Sequence, residues 1–355
     1  MSSIFIISPA LTMGGMERAS LNLAEGFVLR GYEVSYVTIL RKNHFFKPSN
    51  SIRLIEPEGF NSSSISLVKT IKWLRKLTQT HNPDKIIVFN KVYGSFLSFA
   101  LFGTKFDFIL SERSSPLYKW PRRFELLCSI AFIMKPPSAV ISQTRIAREI
   151  QSKYYSKSTL IKVIPNILRE VKLFPTQTRE KSIIGVGRLA EGLKGFDWLI
   201  ESFAKCKNSD WKLVLLGSDQ GAAHLHEQVK TLGIEDRVVF KGPTLAIDEE
   251  LSKAGIFVIP SRSEGFPNAL IEAMSAGVPC ISFNFIAGPE DIIEDRVNGL
   301  LVELGNTDKM AQTIDKLIED EELRKSIAQN GMVSTKKYSF NAIMDEYEKF
   351  LFDIK

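Results

Sequence analysis

Two carboxylates eight positions apart, Glu264 and Glu272, bracket Gly265, Phe266, Pro267, Asn268 and Ala269. The apolar run at 255–259 reads as a buried parallel strand that ends at Pro260-Ser261. Residues 269–277 form a helix-favouring segment closed by a glycine. The first acid therefore belongs to a loop at the carboxyl end of a strand, and the second to the opening turns of the next helix. Ligands bind at that edge of an open α/β sheet. N–H groups at a helix start favour a phosphate there. Two carboxylates beside an anion site suit a ligand rich in hydroxyls and phosphates, such as a sugar nucleotide.

The stretch 185–195, Gly-Val-Gly-Arg-Leu-Ala-Glu-Gly-Leu-Lys-Gly, follows the first strand of the second half. It fails as a dinucleotide fingerprint, because its glycine spacing is wrong and no acid closes a second strand about 20 positions on. As a strand-end loop it offers Arg188 and Lys194 to one anion. A guanidinium grips a diphosphate through two oxygens, and an ammonium adds a compact second charge. The alternative is two solvated charges beside a glycine-rich turn. Near the start, Gly14 and Gly15 precede a helix with Glu17 and Arg18 on its first turn. There glycine permits close approach of a ligand, and the helix start favours negative charge.

These residues need alternating strands and helices to hold them. In the first half, 4–8, 33–40, 85–89, 106–110 and 139–142 read as strands, and 16–29, 65–80 and 145–154 as helices. The pattern breaks at Val163-Ile164-Pro165-Asn166, and the polar stretch 175–181 reads as an interdomain linker. Alternation restarts with strands at 182–186, 211–216, 238–240, 256–259 and 280–283, and helices near 196–206, 223–232 and 269–275. The chain is helical from Thr307. Such alternation argues for parallel sheets covered on both faces.

Gly187-Arg188-Leu189 with Lys194-Gly195, followed by Glu264 eight positions before Glu272, resembles the retaining glycosyltransferases of family 4 (glycosyl transferases group 1), which have the GT-B fold. Gly14-Gly15-Met16-Glu17-Arg18, Phe240-Lys241-Gly242, Gly288-Pro289-Glu290 and Asn298-Gly299-Leu300-Leu301-Val302 extend the resemblance over nearly the whole chain. It implies an α/β chain of two doubly wound Rossmann-like parallel-sheet domains facing a central cleft. Residues 1–170 would bind the acceptor, with a C-terminal helix at about 338–355 packing back on them, and 180–337 would bind the nucleotide sugar. It also implies transfer, with retention, of a hexose or N-acetylhexosamine from a nucleotide-diphosphate sugar, expected to be a UDP-sugar. The expected acceptor is a growing bacterial surface glycan (lipopolysaccharide or capsule) or a lipid-linked saccharide.

Residue by residue, the resemblance assigns Arg188 and Lys194 to the diphosphate, Glu272 to the ribose hydroxyls and Glu264 to a hydroxyl of the donor sugar. Gly187, Gly265 and the N–H groups of Phe266, Asn268 and Ala269 are expected at the donor; Pro267 has no N–H to offer. Gly242, Pro243 and Thr244 are expected at the base. Gly14, Gly15, Glu17 and Arg18 match a loop that closes over the donor phosphates and lines the acceptor site. Many relatives carry a histidine after the strand at 106–110, where this chain has Arg113. His44, His81, His224 and His226 fall in no matching place, which leaves Glu112 and Arg113 as candidates to touch the sugar or acceptor. The chain contains no Asp-x-Asp, so the cationic pair is expected to hold the diphosphate with no metal and no cofactor.

A chain of 355 residues, 44% hydrophobic and 24% charged, is long enough for two cored domains of ordinary globular composition. Three scattered cysteines suggest neither a disulfide framework nor a zinc site, and fit a reducing cytoplasm. The apolar residues 4–7 lack a basic leader, and no apolar run reaches the roughly 18 residues of a membrane span. A cytoplasmic protein is expected, peripheral at most to the inner face of the membrane. Residues 1–175 carry 25 Lys+Arg against 11 Asp+Glu, while the remainder is acidic. No nucleic-acid recognition motif accompanies the basic half, so an anionic membrane surface or a phosphate-bearing acceptor fits it better. Residues 119–135, with cations at both ends, Trp120 and an apolar centre, suit a helix in a membrane interface. Residues 68–77 form a second basic amphipathic helix, and the alternative for both is plain packing on the sheet. The rival functions are a sugar-nucleotide-binding partner subunit without catalysis and a transferase with a soluble acceptor.

Overall fold

The computed structural model describes residues 2–62, 64–157, 159–174, 179–286 and 288–353. The chain forms two compact units, Met1–Ile167 with Phe340–Lys355 and Leu168–Ser339. The first unit holds β1 (Ser3–Ser8), β2 (Glu33–Thr38), β3 (Arg53–Ile55), β4 (Lys85–Phe89), β5 (Ile109–Ser111), β6 (Ala139–Ser142) and β7 (Leu160–Val163). They pair in parallel in the order β3-β2-β1-β4-β5-β6-β7. Alternate residues of a strand face opposite sides. Ile4, Ile6, Tyr36 and Phe89 pack with the helices Gly15–Leu29 and Phe340–Asp353. Phe5, Ile7, Val37 and Val88 pack with Leu67–His81, Lys91–Leu101 and Arg122–Met134. Burial on both faces is why these strands read as unbroken apolar runs.

The second unit holds β8 (Ser182–Val186), β9 (Lys212–Leu216), β10 (Val238–Gly242), β11 (Ile256–Ile259), β12 (Cys280–Phe283) and β13 (Leu300–Val302), in the order β10-β9-β8-β11-β12-β13. Helices Phe196–Ala204, Ala223–Thr231 and Thr307–Glu319 cover one face, and Ile247–Lys253 and Asn268–Ser275 the other. Each sheet reverses its order beside its first strand, between β1 and β4 and between β8 and β11. Those are the switch points at which open α/β sheets bind ligands. Among the described residues no helix is long and apolar enough to cross a membrane.

The structure departs from the sequence reading in three places. The edge strands β3 and β7 are absent from it, because three or four residues that include Arg53 or Lys162 make no apolar run. β5 begins at Ile109, three residues later than expected. The passage between units falls between Ile167 and Leu168, ahead of the stretch expected as a linker. Of that stretch, 175–178 lie outside the described residues. Arg179 belongs to the second unit, donating to the carbonyls of Leu251, Ser252, Ala254, Ala276 and Gly277. Arg179 thus serves two helix C-termini, where a guanidinium satisfies orphan carbonyls.

Candidate functional site

The loops after β8 and β11 are brought into contact by backbone that only glycine allows. Gly195 has φ +68°, and a Cβ there would lie 2.0 Å from the carbonyl oxygen of Pro260. Gly217, after β9, would place a Cβ 1.8 Å from the carbonyl oxygen of Gly187. Arg262 then binds the two loops together. Its N–H donates to the Leu193 carbonyl at 2.8 Å, and Nη1 donates to the Gly192 carbonyl at 2.6 Å. Its guanidinium grips both oxygens of Asp197, at 2.7 and 2.5 Å, and stacks 3.7 Å from the Trp198 ring. Burial alone would raise the Asp197 pKa, but Arg262 and nearby backbone N–H groups outweigh it and hold the carboxyl below its ordinary value.

This frame sets Lys194 Nζ 2.7 Å from Glu264 Oε1, with Ser261 Oγ donating to the same oxygen at 2.8 Å. The two side chains are 22% and 13% exposed, so a matched ion pair sits largely enclosed at the β8/β11 edge. Glu272, on the helix Asn268–Ser275, is buried against Arg169. Its Oε1 lies 3.2 Å from Arg169 Nε, and its Oε2 accepts from Nη2 at 3.2 Å. Nη2 also donates to Asp248 Oδ1 at 2.5 Å. Burial would lower the Arg169 pKa, but the bonds and charges of Asp248 and Glu272 raise it, so the guanidinium stays charged. The carboxylate expected to meet a ribose is thus held by a cation.

The other expected donor residues line the same carboxyl edge. Arg188, 62% exposed, lies 3.0 Å from Glu191 and carries its charge outward from the loop. Gly187 donates its N–H to Leu216, and Gly242, with φ +73°, accepts from Gly217 N at 3.0 Å. Pro243 and Thr244 are exposed, and Thr244 Oγ1 shapes their turn by accepting from Ala246 N at 3.0 Å. Gly265 leads to Phe266, whose ring is buried edge-on to Tyr338, and the N–H of Asn268 is engaged with the Phe266 carbonyl at 2.9 Å. Ala269 lies in the first turn of the helix.

In the first unit Gly14 caps the helix Gly15–Leu29, and the Glu17 carboxylate folds back over it: a Cβ on Gly14 would lie 2.1 Å from Glu17 Oε2. Arg18 N donates to the Gly14 carbonyl at 3.1 Å. Glu112 is buried, with Oε2 accepting from Lys91 N and Oε1 from Ser114 N, both at 3.1 Å. Burial pushes its pKa up despite these bonds. Arg113 turns inward as well. Its Nε donates to Ser111 Oγ at 2.8 Å, its Nη1 to Asn166 Oδ1 at 2.7 Å, and its Nη2 bonds the Tyr347 hydroxyl on the C-terminal helix. Both residues, the candidates for sugar or acceptor contact, are thus engaged with partners inside the first unit.

Residues the sequence reading missed are the ones that position the rest. Arg169 and Arg262 stand in irregular segments where no periodicity marks them. Gly217 had a legible signal, a glycine directly after a strand. Asn90, after β4, has φ +76° and caps the helix Lys91–Leu101 by accepting from Val92 N at 2.9 Å. The three cysteines are buried, which pushes the thiol of Cys128 up to about 11 and that of Cys206 up to about 12. Cys280 is shifted further in the same direction.

Residues 169–333 match the family model described as glycosyl transferases group 1. An uncharacterized glycosyltransferase of Haemophilus influenzae is 29% identical over 356 residues, spanning 98% of this chain and 99% of the relative. A Campylobacter jejuni relative, 26% identical over 100% of this chain and 99% of its own length, is named GalNAc-alpha-(1->4)-GalNAc-alpha-(1->3)-diNAcBac-PP-undecaprenol alpha-1,4-N-acetyl-D-galactosaminyltransferase. The crystal structure of Anabaena HepE in complex with UDP has a TM-score of 0.84 at 18% identity, over 99% of this chain and 100% of that one.

Proposed function

We propose that this chain, which belongs to the glycosyl transferases group 1 and is a glycosyltransferase of GT-B fold, moves a hexose or N-acetylhexosamine from a UDP-sugar to a growing surface glycan or lipid-linked saccharide, with retention. The observation that carries this reading is the Lys194–Glu264 pair, 2.7 Å apart at the β8/β11 switch point. Mutual neutralisation keeps an ammonium in a largely enclosed place at a ligand-binding edge. A diphosphate is the stronger partner for that ammonium, and Glu264 then accepts from a hydroxyl of the transferred sugar. Glu272, fixed by Arg169, accepts from the ribose. The start of the helix Asn268–Ser275, with its positive dipole end at the same edge, adds to the anion site.

In the proposed reaction the bond from the anomeric carbon to the diphosphate oxygen breaks and the bond to the acceptor oxygen forms on the same face. The acceptor proton passes to the departing diphosphate, so no protein base is needed. Lys194 and Arg188 stabilise the charge that develops there. The cationic pair does this work without a divalent ion, and EDTA is expected to leave turnover unchanged. UDP bound to HepE, whose fold is similar, supports the choice of nucleotide. The undecaprenol-linked acceptor in the name of the Campylobacter relative supports the choice of acceptor.

The test is a thermal-shift panel of UDP-, GDP- and ADP-sugars followed by product analysis, since a ligand that binds the folded state raises its melting temperature. UDP-sugars are expected to stabilise the chain and to be consumed only with acceptor present. Stabilisation without transfer or hydrolysis across the panel would favour a binding subunit instead.

A further inference from the structure

We propose that the outward face of the helix Arg122–Met134 docks on an anionic lipid bilayer. Leu126, Ile130 and Ile133 are 61%, 45% and 84% exposed. Their spacing sets them in one row along the helix, which Met134 extends. The inward side is Cys128 and Ala131, with Phe124, Leu127 and Phe132 packed into the core of the unit. The exposed row therefore takes no part in folding the helix onto its sheet.

Charge around the row has one sign. Lys119, Arg122 and Arg123 are exposed at its N-terminal end. The helix carries one acid, Glu125, and both of its oxygens accept from Lys91 Nζ at 2.8 Å. The helix Leu67–His81, which packs on Lys91–Leu101 as Arg122–Met134 does, turns Lys69, Lys72 and Lys76 outward. An apolar row edged by cations matches the boundary between acyl chains and anionic headgroups, where a helix lies flat with its apolar face sunk in.

A second copy of the chain fits this face worse. A two-fold contact through this helix would offer its arginines only the one acid of the facing helix, Glu125, which Lys91 already holds. A few side chains of one helix also fall short of the roughly 800 Å² per partner that stable association needs. The proposal stands on the first unit alone and does not depend on the donor reading.

Flotation of the full chain with phosphatidylcholine vesicles, with and without about 30% phosphatidylglycerol, tests it. The chain is expected to float with the anionic vesicles and to be released as salt rises. Ile133→Asp should abolish flotation, and Arg122→Glu with Arg123→Glu should lower the partition coefficient at least roughly fivefold per cation. All three positions are exposed, so UDP-sugar thermal shifts should match the parent chain; this separates lost docking from lost fold or lost donor binding. Equal flotation of Ile133→Asp, or no preference for the anionic lipid, overturns the proposal. So does self-association that Ile133→Asp removes in the absence of flotation, which would make the face a contact between copies.

Discussion

Lys194 Nζ and Glu264 Oε1 are 2.7 Å apart although 70 positions separate the residues. They meet because β8 and β11 are neighbours in the sheet and Gly195 lets the first loop lie on the carbonyl of Pro260. If Lys194 steadies the leaving diphosphate, Lys194→Ala lowers kcat by about 10²–10³, the usual loss for one charge-stabilising group. Lys194→Ala with Glu264→Gln removes the carboxylate left unpaired, and should restore melting temperature without restoring kcat. Recovery of both would make the pair structural.

Gly195→Ala attacks the frame and leaves the charges in place. It forces φ +68° on a residue with a Cβ and drives that Cβ into the Pro260 carbonyl. Backbone strain of this kind costs about 1–3 kcal/mol before the clash is counted. We expect a lower melting temperature and loss of UDP-sugar stabilisation. A variant with the parent's melting temperature and donor affinity would show that the close approach is dispensable.

Arg169 joins Asp248 to Glu272, all three less than a fifth exposed. Arg169→Ala removes the cation between two largely buried acids and is expected to destabilise the second unit by about 3 kcal/mol, as breaking a mostly buried pair does. Glu272→Gln should raise the donor KM with a smaller change in kcat, the pattern of a lost binding contact. In a double-mutant cycle the two changes should be strongly non-additive. Additive effects would mean that Arg169 does not hold Glu272.

The Asp197–Arg262 link adds a pH dependence. The folded Asp197 carboxyl titrates below its ordinary value of 3.8. Its contribution to stability is therefore full above that value and is lost as pH falls through the lower folded value. Both side chains are partly exposed, so the contribution is smaller than that of a buried pair. Asp197→Asn should flatten the fall in melting temperature at the acid end of the titration, between about pH 4 and pH 2. The same slope in both chains would refute the link.

Much of the site is legible along the chain, because an apolar run, a glycine loop and a helix start are local patterns. They suffice to put Arg188, Lys194 and Glu264 in loops at strand ends and Glu272 on the following helix. The helix Lys91–Leu101 is less legible. Nearly all its residues are buried, so no polar stripe announces its period. The surroundings of Glu112 and Arg113 are not legible either: Glu112 is buried against the N–H groups of Lys91 and Ser114, and Arg113 reaches partners as distant in sequence as Asn166 and Tyr347.

By itself the sequence determined the alternation of strands and helices, the carboxyl-edge position of the charged loops and the family those motifs resemble. Sheet order, decided only in the folded chain, chose which loops meet. Folding also set which charges are neutralised, pairing Lys194 with Glu264 and Glu272 with Arg169. The reason is physical: periodicity acts over a few residues, whereas the partner of a buried charge comes from wherever packing brings the chain back.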